Sequence, residues 1–161
     1  MADLKLLTPC LWFDGDALDA AELYTSLFPD SGIDHVARTP GTGQEVHGRD
    51  EGSVLTVAFH LADQPMLGLN GGPHFTFSEA VSLVVTCADQ AEIDHYWDGL
   101  IAGGGRPSDC GWLKDRFGMS WQIVPQGMGE LMTGPDAGKA MDAFLQMKKI
   151  DVAVLEAAVA G

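Results

Sequence analysis

The spacing of apolar residues predicts one order of elements in the first half of the chain. A mostly apolar run at 6–13 fits a strand, and apolar residues at three- and four-residue steps in 18–28 indicate a helix. Asp16 precedes that helix and is a candidate N-cap. Further strands are predicted at 33–39, 53–61 and 65–69. This half therefore reads β-α-β-β-β.

The second half repeats this order after the break at residues 70–73, Asn-Gly-Gly-Pro. The continuous apolar run AVSLVVTC at 80–87 predicts a buried strand. Asp89 and Glu92 have the spacing of a capping box ahead of a helix. A short strand near 106–107 and a hairpin of 110–114 with 119–124 complete the repeat.

Two like halves predict an α+β fold built from paired βαβββ modules with C-terminal helices. We expect a single domain over residues 1–161, with repeat halves at 6–70 and 78–125 and a helical extension at 128–161. The extension carries an apolar stripe that includes Met141. It could clamp the domain or cover a second copy, and we expect a homodimer.

Charge and composition narrow the possible partners. The 23 acidic residues against 9 lysines and arginines give a net charge of −14, which disfavours nucleic acid and anionic membranes. No apolar run approaches the ~20 residues of a membrane span, and the first residues, MADLKLLTPC, lack the features of a secretory signal. Three cysteines are an odd number, which fits reduced thiols and a cytoplasmic protein.

Four blocks of sequence resemble one known family. They are TPCLWFDGDALDAAELYTSLFPDS, GGPHFTFSEAVSLVVTC, CGWLKDRFGMSWQIVP and FLQMKKIDVAVLEAA, and they are similar to the PhnB-like proteins. These proteins carry the label demethylubiquinone methyltransferase and belong to the glyoxalase/bleomycin-resistance/dioxygenase group, the vicinal oxygen chelate superfamily. The resemblance implies the glyoxalase/bleomycin resistance/dihydroxybiphenyl dioxygenase fold, with each sheet curled round a cleft and often a dimer.

The resemblance also gives a meaning to Gln122. In metal-using members, an Asp-x-x-Gly turn precedes a strand that presents a glutamate to a divalent ion. Here Asp115 and Gly118 match that turn, and Gln122 stands in the place of the glutamate. The first-strand position near Cys10 has no histidine, and the fourth-strand position falls near Asn70, a weak neutral ligand. We therefore expect no metal and no other cofactor.

Without a metal, the candidate catalytic and ligand-binding groups are a few amides, thiols and aromatic rings. Cys110 is a candidate nucleophile because Lys114 could lower its pKa, and Gln122 is a second, weak catalytic candidate. No Gly-rich turn between a strand and a helix suits a nucleotide-like cofactor, since GTG at 41–43 lies in a loop and GGG at 103–105 ends a helix. The expected ligand-binding residues are Cys10, Trp12, Asn70, Trp112 and Gln122.

Three functions stay open at this point. The first is a protein that binds a small organic molecule in a cupped sheet without metal. The second is an enzyme, either a lyase, isomerase or dioxygenase with a degenerate metal site, or the methyltransferase that the family label names. The third is a scaffold whose C-terminal helices bind another protein. Fold alone does not choose among them.

Overall fold

The chain folds as two βαβββ units with three helices after the second. The computed structural model describes residues 7–44 and 48–160, so the predicted strand start at residue 6 lies outside the described residues. Unit 1 spans Met1–Thr76 and unit 2 spans Phe77–Gly161. Among the described residues, no helix has the length and the apolar character needed to cross a membrane.

Unit 1 holds sheet A, whose strands run in the order β1-β4-β3-β2. β1 pairs with β4 in parallel, and the other pairs are antiparallel. One face of the sheet packs under the helix, where Tyr24 contacts Phe59 with ring centroids 6.3 Å apart. The elements are β1 (Cys10–Phe13), α1 (Ala17–Leu27), β2 (Gly32–Arg38), β3 (Val54–Leu61) and β4 (Gln64–Asn70).

Unit 2 holds sheet B, and its strand order, β5-β8-β7-β6, repeats that of sheet A. β5 again pairs with the last strand in parallel, and the remaining pairs are antiparallel. The α+β prediction with two like halves is thereby confirmed. The elements are β5 (Ser82–Cys87), α2 (Gln90–Ile101), β6 (Arg106–Pro107), β7 (Trp112–Lys114) and β8 (Ser120–Pro125).

The two helices that follow the first strands begin differently. Before α2, the Asp89 side chain accepts a hydrogen bond from the Glu92 N–H at 3.0 Å, which confirms the predicted cap. Asp16 occupies the N-cap position of α1 but makes no capping side-chain bond. The Asn70 Oδ1 atom accepts the Ala17 N–H instead, at 2.9 Å. A side chain from the end of β4 therefore caps α1.

The prediction that β5 is a buried strand is wrong for one of its faces. Cys87 is buried, but Val84 is 58% exposed, and Val81 just before the strand is 66% exposed. The helix covers one face of the sheet only, and side chains alternate between faces along a strand. The apolar run therefore reflects an apolar open face as well as an apolar core face.

The C-terminal helices are tied to unit 2 by hydrogen bonds. They are α3 (Met128–Thr133), α4 (Ala137–Phe144) and α5 (Val152–Ala160). The N–H groups of Cys110 and Gly111 each donate at 2.7 Å to carbonyls of the segment between α4 and α5. The Gln90 side chain donates to the Ile150 carbonyl and accepts from the Val152 N–H. These bonds show that the extension clamps unit 2, which is one of the two roles that the sequence left open.

A substitution at Gly111 tests how closely the extension packs against unit 2. Gly111 has φ +77° and a Cβ there would lie 2.7 Å from the Ile123 carbonyl oxygen, whereas Gly118 has φ +88° with nothing within 4 Å. We expect Gly118→Ala to lower the unfolding free energy by about 1 kcal/mol through backbone strain alone. Gly111→Ala should lower it by roughly 3 kcal/mol because the clash adds to that strain.

Urea unfolding of the full chain measures both values. Equal losses of unfolding free energy in the two variants would contradict the close contact of Gly111 with Ile123 of β8 and Ile150 of the extension.

Candidate functional site

A buried carboxylate shapes the hairpin that precedes Gln122. Asp115 is 3% exposed, and its Oδ1 accepts the N–H groups of Phe117 at 2.9 Å and Met119 at 3.0 Å. Its Oδ2 accepts the indole N–H of Trp121 at 2.8 Å. Because one carboxylate fixes both the turn and the indole, Trp121 is held on the helix-packed side of β8.

Gln122 consequently lies on the opposite, open side of the sheet. Its burial follows the alternation of β8, in which Trp121 and Ile123 are buried and Gln122 is half-buried. The Gln122 Nε2 atom donates to the Ser82 Oγ at 2.8 Å, a bond from β8 to β5. The amide is therefore oriented by a neighbouring strand.

The strand register defines the open face of sheet B. Gln122 is paired with Val84 on β5 and with Trp112 on β7. Ser120 is paired with Lys114, which is in turn paired with Arg106 on β6. Paired residues share a face, so we define the open face by these residues: Ser82, Val84, Thr86, Arg106, Trp112, Lys114, Ser120, Gln122 and Val124.

A cavity of about 310 Å³ lies at the β6–β7 edge of this face. That volume is within the range of small-molecule sites, roughly 300–1,000 Å³. Its wall combines an aromatic ring with charged and hydroxyl groups, and every lining residue belongs to unit 2. The residues that determine its chemistry are Glu79, Arg106, Trp112, Lys114 and Ser120.

Charge in the cavity is organised around Lys114. Its Nζ lies 2.6 Å from Glu79 Oε1. The hydrogen bond from Lys114 lowers the pKa of Glu79, and a bond to the Glu79 backbone, the charge of Lys114 and the charge of Arg106 act in the same direction. Glu79 is therefore held as a carboxylate, and the two basic side chains leave a net positive charge on these three groups.

Ser120 contributes a hydroxyl at the base of the cavity. The residue is fully buried, and its Oγ has no hydrogen-bond partner among residues 7–44 and 48–160. A buried hydroxyl without a partner is unfavourable, and it is a group that a ligand could satisfy.

The donor set round Gln122 does not fit a divalent metal ion. Its cross-strand neighbours are valine and tryptophan, and its amide is engaged with Ser82. Within the part of the chain that the structure describes, no three His, Cys, Asp or Glu side chains are grouped closely enough to hold a metal ion. A dication in this fold wants several His or carboxylate ligands, and one neutral amide is a poor substitute.

Cys10 and Trp12 lie together on the open face of sheet A in unit 1, paired with Leu67 and Leu69 of β4. The Trp12 indole N–H donates to the Gly72 carbonyl at 2.8 Å, and its ring meets Phe75 edge-on with centroids 4.9 Å apart. Trp12 therefore has a structural contact in unit 1, while Trp112 and Gln122 lie on the other sheet.

Asn70 lies on the helix-packed face, away from Cys10 and Trp12. It is 3% exposed, its Oδ1 accepts the Ala17 N–H, and its Nδ2 donates to the Val54 carbonyl at 3.0 Å. Both ends of the amide are thus used inside unit 1. The geometry gives Asn70 a structural role, and the ligand contact expected from the sequence stays a prediction.

The three cysteines have different surroundings. The Cys110 Sγ is 3.7 Å from the Phe144 carbonyl, and Lys114, expected to activate this thiol, is paired with Glu79. Burial raises the pKa of Cys10. Burial, with the nearby Glu92 and Asp89 carboxylates, raises the pKa of Cys87 to about 11. Neither shift favours a thiolate at neutral pH.

Sequence reasoning did not assign Arg106, Ser120 or Glu79 to the site, and it considered Lys114 only as a neighbour of Cys110. Alternation along the strands could have found two of them. Lys114 follows Trp112 by two residues and Ser120 precedes Gln122 by two, so each pair shares a face. No sequence signal places Glu79 beside Lys114.

The position of Asn70 generates a prediction about stability. Asn70→Ala removes the cap of α1 and leaves the Val54 carbonyl unpaired, so we expect a loss of roughly 2–3 kcal/mol of unfolding free energy. Gln64→Ala is the matched control on β4, because that amide is exposed, and it should change stability by less than about 0.5 kcal/mol. Denaturant titration checks both. Equally small changes of unfolding free energy in the two variants would contradict the role of the Asn70 amide as the cap of α1.

Comparison with known proteins supports the same assignment of fold. The family model described as 3-demethylubiquinone-9 3-methyltransferase matches residues 5–124. A search of the curated proteins found no match.

Solved structures extend the comparison. The PhnB protein from Bacillus cereus is 32% identical with a TM-score of 0.67, covering 75% of this chain and 99% of that chain. Protein PA1353 from Pseudomonas aeruginosa is 15% identical with a TM-score of 0.60, covering 74% of this chain and 96% of that one. A glyoxalase/bleomycin resistance protein from Albidiferax ferrireducens T118 is 14% identical, with a TM-score of 0.47 and coverage of 74% and 96%.

The match over residues 5–124 includes the βαβββ repeat and the Asp115 hairpin, and the similarity to the Bacillus cereus structure spans nearly the whole of that protein. The chain therefore belongs to the PhnB-like family, whose model is described as 3-demethylubiquinone-9 3-methyltransferase.

Proposed function

We propose that this protein binds a small organic molecule on the open face of sheet B, and that it does so without a metal ion. The observation that carries the proposal is the cavity of about 310 Å³ beside Trp112 and Lys114, on the same face as Gln122. Small-molecule sites combine an apolar or aromatic wall with a few oriented polar groups, and this face supplies that combination.

Three kinds of contact would hold the ligand. The Trp112 ring offers a flat apolar wall, and Val84 continues the apolar surface toward β5. The Gln122 amide is held by Ser82 in one orientation, so less side-chain entropy is lost when a ligand binds it. Cys10 and Trp12 form a separate surface on sheet A of unit 1, and we keep them as candidate contacts for a ligand bound there.

Metal-independent binding is the part of the proposal that separates it from the enzymes of the superfamily. Lyases, isomerases and dioxygenases of this fold class need several anionic or imidazole ligands round an ion. The neighbours of Gln122 are Val84 and Trp112, which cannot ligate. Gln122 and Cys110 accordingly have no catalytic role in this proposal.

The fold is less well suited to methyl transfer, which is the activity named in the family description. A dinucleotide-type cofactor site uses a parallel, doubly wound sheet with a Gly-rich turn before the helix. Sheets A and B are mixed and four-stranded, and acidic residues, Asp16 and Asp89, occupy the positions before α1 and α2. These features favour the binding role.

We further propose that the protein is a homodimer of the cytoplasm. Exposed apolar side chains on α4 and α5, among them Met141, Leu145 and Val154, are suited to contact with a second copy. The reduced thiols and the net charge of −14 fit a cytoplasmic protein that avoids nucleic acid and anionic lipid.

A thermal-shift screen of small organic metabolites tests the binding role. A ligand present at about 100 times its Kd should raise Tm by roughly 5 °C. The increase should be the same in EDTA-treated protein and after addition of Zn²⁺, Ni²⁺, Mn²⁺ or Fe²⁺. Trp112→Ala should reduce the shift strongly, and Trp112→Phe, which keeps an aromatic wall, should reduce it less.

Two results would contradict the proposal. One is stoichiometric metal in the purified protein that is lost in Gln122→Leu, because this would place an ion at Gln122. The other is a set of ligands whose stabilisation is unchanged in Trp112→Ala, because binding would then occur elsewhere.

A further inference from the structure

The cavity of sheet B concentrates positive charge in a strongly acidic chain. Only 9 of 161 residues are lysine or arginine, against 23 acidic residues. Two of those nine, Arg106 and Lys114, are paired directly across β6 and β7 and line the same cavity. Such an overall charge repels anions from most of the surface, so a local pair of cations marks a position where an anion can be bound.

The Glu79 carboxylate already occupies part of this position. It contacts the Lys114 Nζ at 2.6 Å and comes from the segment before β5, outside any strand. The Glu79 side chain is 66% exposed, whereas that of Lys114 is 25% exposed. An ion pair with one exposed partner is weak and easily exchanged. Glu79 therefore stands where the carboxylate or phosphate of a ligand would lie.

The Ser120 hydroxyl is an independent feature that points to a ligand. Ser120 is one of the residues that line the cavity, and Lys114 is its cross-strand partner. Its Oγ is buried beneath the cavity surface and has no hydrogen-bond partner within the described residues. A hydroxyl can donate to an oxyanion, and hydrogen bonds to charged groups are the stronger kind. Two cations and a buried hydroxyl thus belong to three cross-strand neighbours that line one cavity.

The aromatic wall indicates what is attached to the anion. Trp112 lies on β7 two residues from Lys114, on the same face, and lines the same cavity. An apolar or planar body can pack on the indole while its charged group reaches Lys114. The cavity therefore combines an aromatic wall at Trp112 with charged groups at Lys114 and Arg106.

We infer that the ligand of this site is an organic anion, whose carboxylate or phosphate group binds Lys114, Arg106 and the Ser120 hydroxyl while its apolar body contacts Trp112. Glu79 acts as an internal competitor that the ligand displaces from Lys114. This inference rests on the proposed function and adds the chemical class of the ligand.

An NMR titration of the full ¹⁵N-labelled chain tests it with defined probes. Benzoate and phenyl phosphate are the anions, and benzamide is the neutral molecule of the same shape as benzoate. The readout is the indole N–H signal of Trp112, assigned by its loss in Trp112→Phe. The buried indoles of Trp97 and Trp121 serve as internal controls.

We expect at least one anion to shift the Trp112 signal and to bind about tenfold or more tightly than benzamide, because a charged hydrogen bond is lost in the neutral probe. A preference for benzoate identifies a carboxylate ligand, and a preference for phenyl phosphate identifies a phosphate.

The variants separate Lys114 and Glu79 from a general charge effect. Lys114→Met should weaken the anion about tenfold or more. Glu79→Gln should strengthen it roughly threefold, because the competing carboxylate is gone. Lys139→Met is the matched control, since Lys139 is also ion-paired but lies on α4, and it should leave affinity unchanged. A gain in Glu79→Gln cannot result from misfolding.

Two outcomes overturn the inference. If benzamide binds as tightly as benzoate and Lys114→Met has no effect, the ligand class is wrong while binding at Trp112 stands. If none of the three probes moves the Trp112 signal, the anion site is absent, and the metabolite screen with Trp112→Ala decides the proposed function separately.

Discussion

The Asp115 carboxylate is the interaction on which the arrangement of the site depends. It accepts three N–H groups, two from its own turn and one from the Trp121 indole. Because side chains alternate along β8, holding Trp121 in the core places Ser120 and Gln122 on the open face. A shift of one residue in this hairpin would exchange the two faces, and the open face would lose the Ser120 hydroxyl and the Gln122 amide.

The open face is where this chain departs from a metal centre. At the point where metal-using relatives are expected to present a carboxylate, it presents an amide held by Ser82, with Val84 and Trp112 on either side. The charged groups lie farther along the face, at Lys114, Arg106 and Glu79. The family fold is thus combined with a sheet surface that suits the proposed binding of a small molecule, which fits the general rule that function resides in the site.

The local pattern of apolar and polar residues was sufficient to predict most of the fold and part of the candidate site. Apolar periodicity placed α1 and the hairpin close to their observed limits, and the capping box marked the start of α2. It failed where a contact joins distant segments. The cap of α1 comes from Asn70, 53 residues from Ala17, and the ion-pair partner of Lys114 is Glu79, which precedes it by 35 residues. Such pairs depend on tertiary packing, which periodicity does not encode.

The position at which an anion binds in a crystal of this protein is the most direct test of the proposed site. Diffraction data from crystals grown with 4-bromobenzoate would locate the bromine by its anomalous signal. The account predicts one bromine beside the Trp112 ring, with the carboxylate between Lys114 and Arg106 and the Glu79 side chain displaced. A bromine bound away from sheet B, or a metal ion coordinated at Gln122, would contradict it.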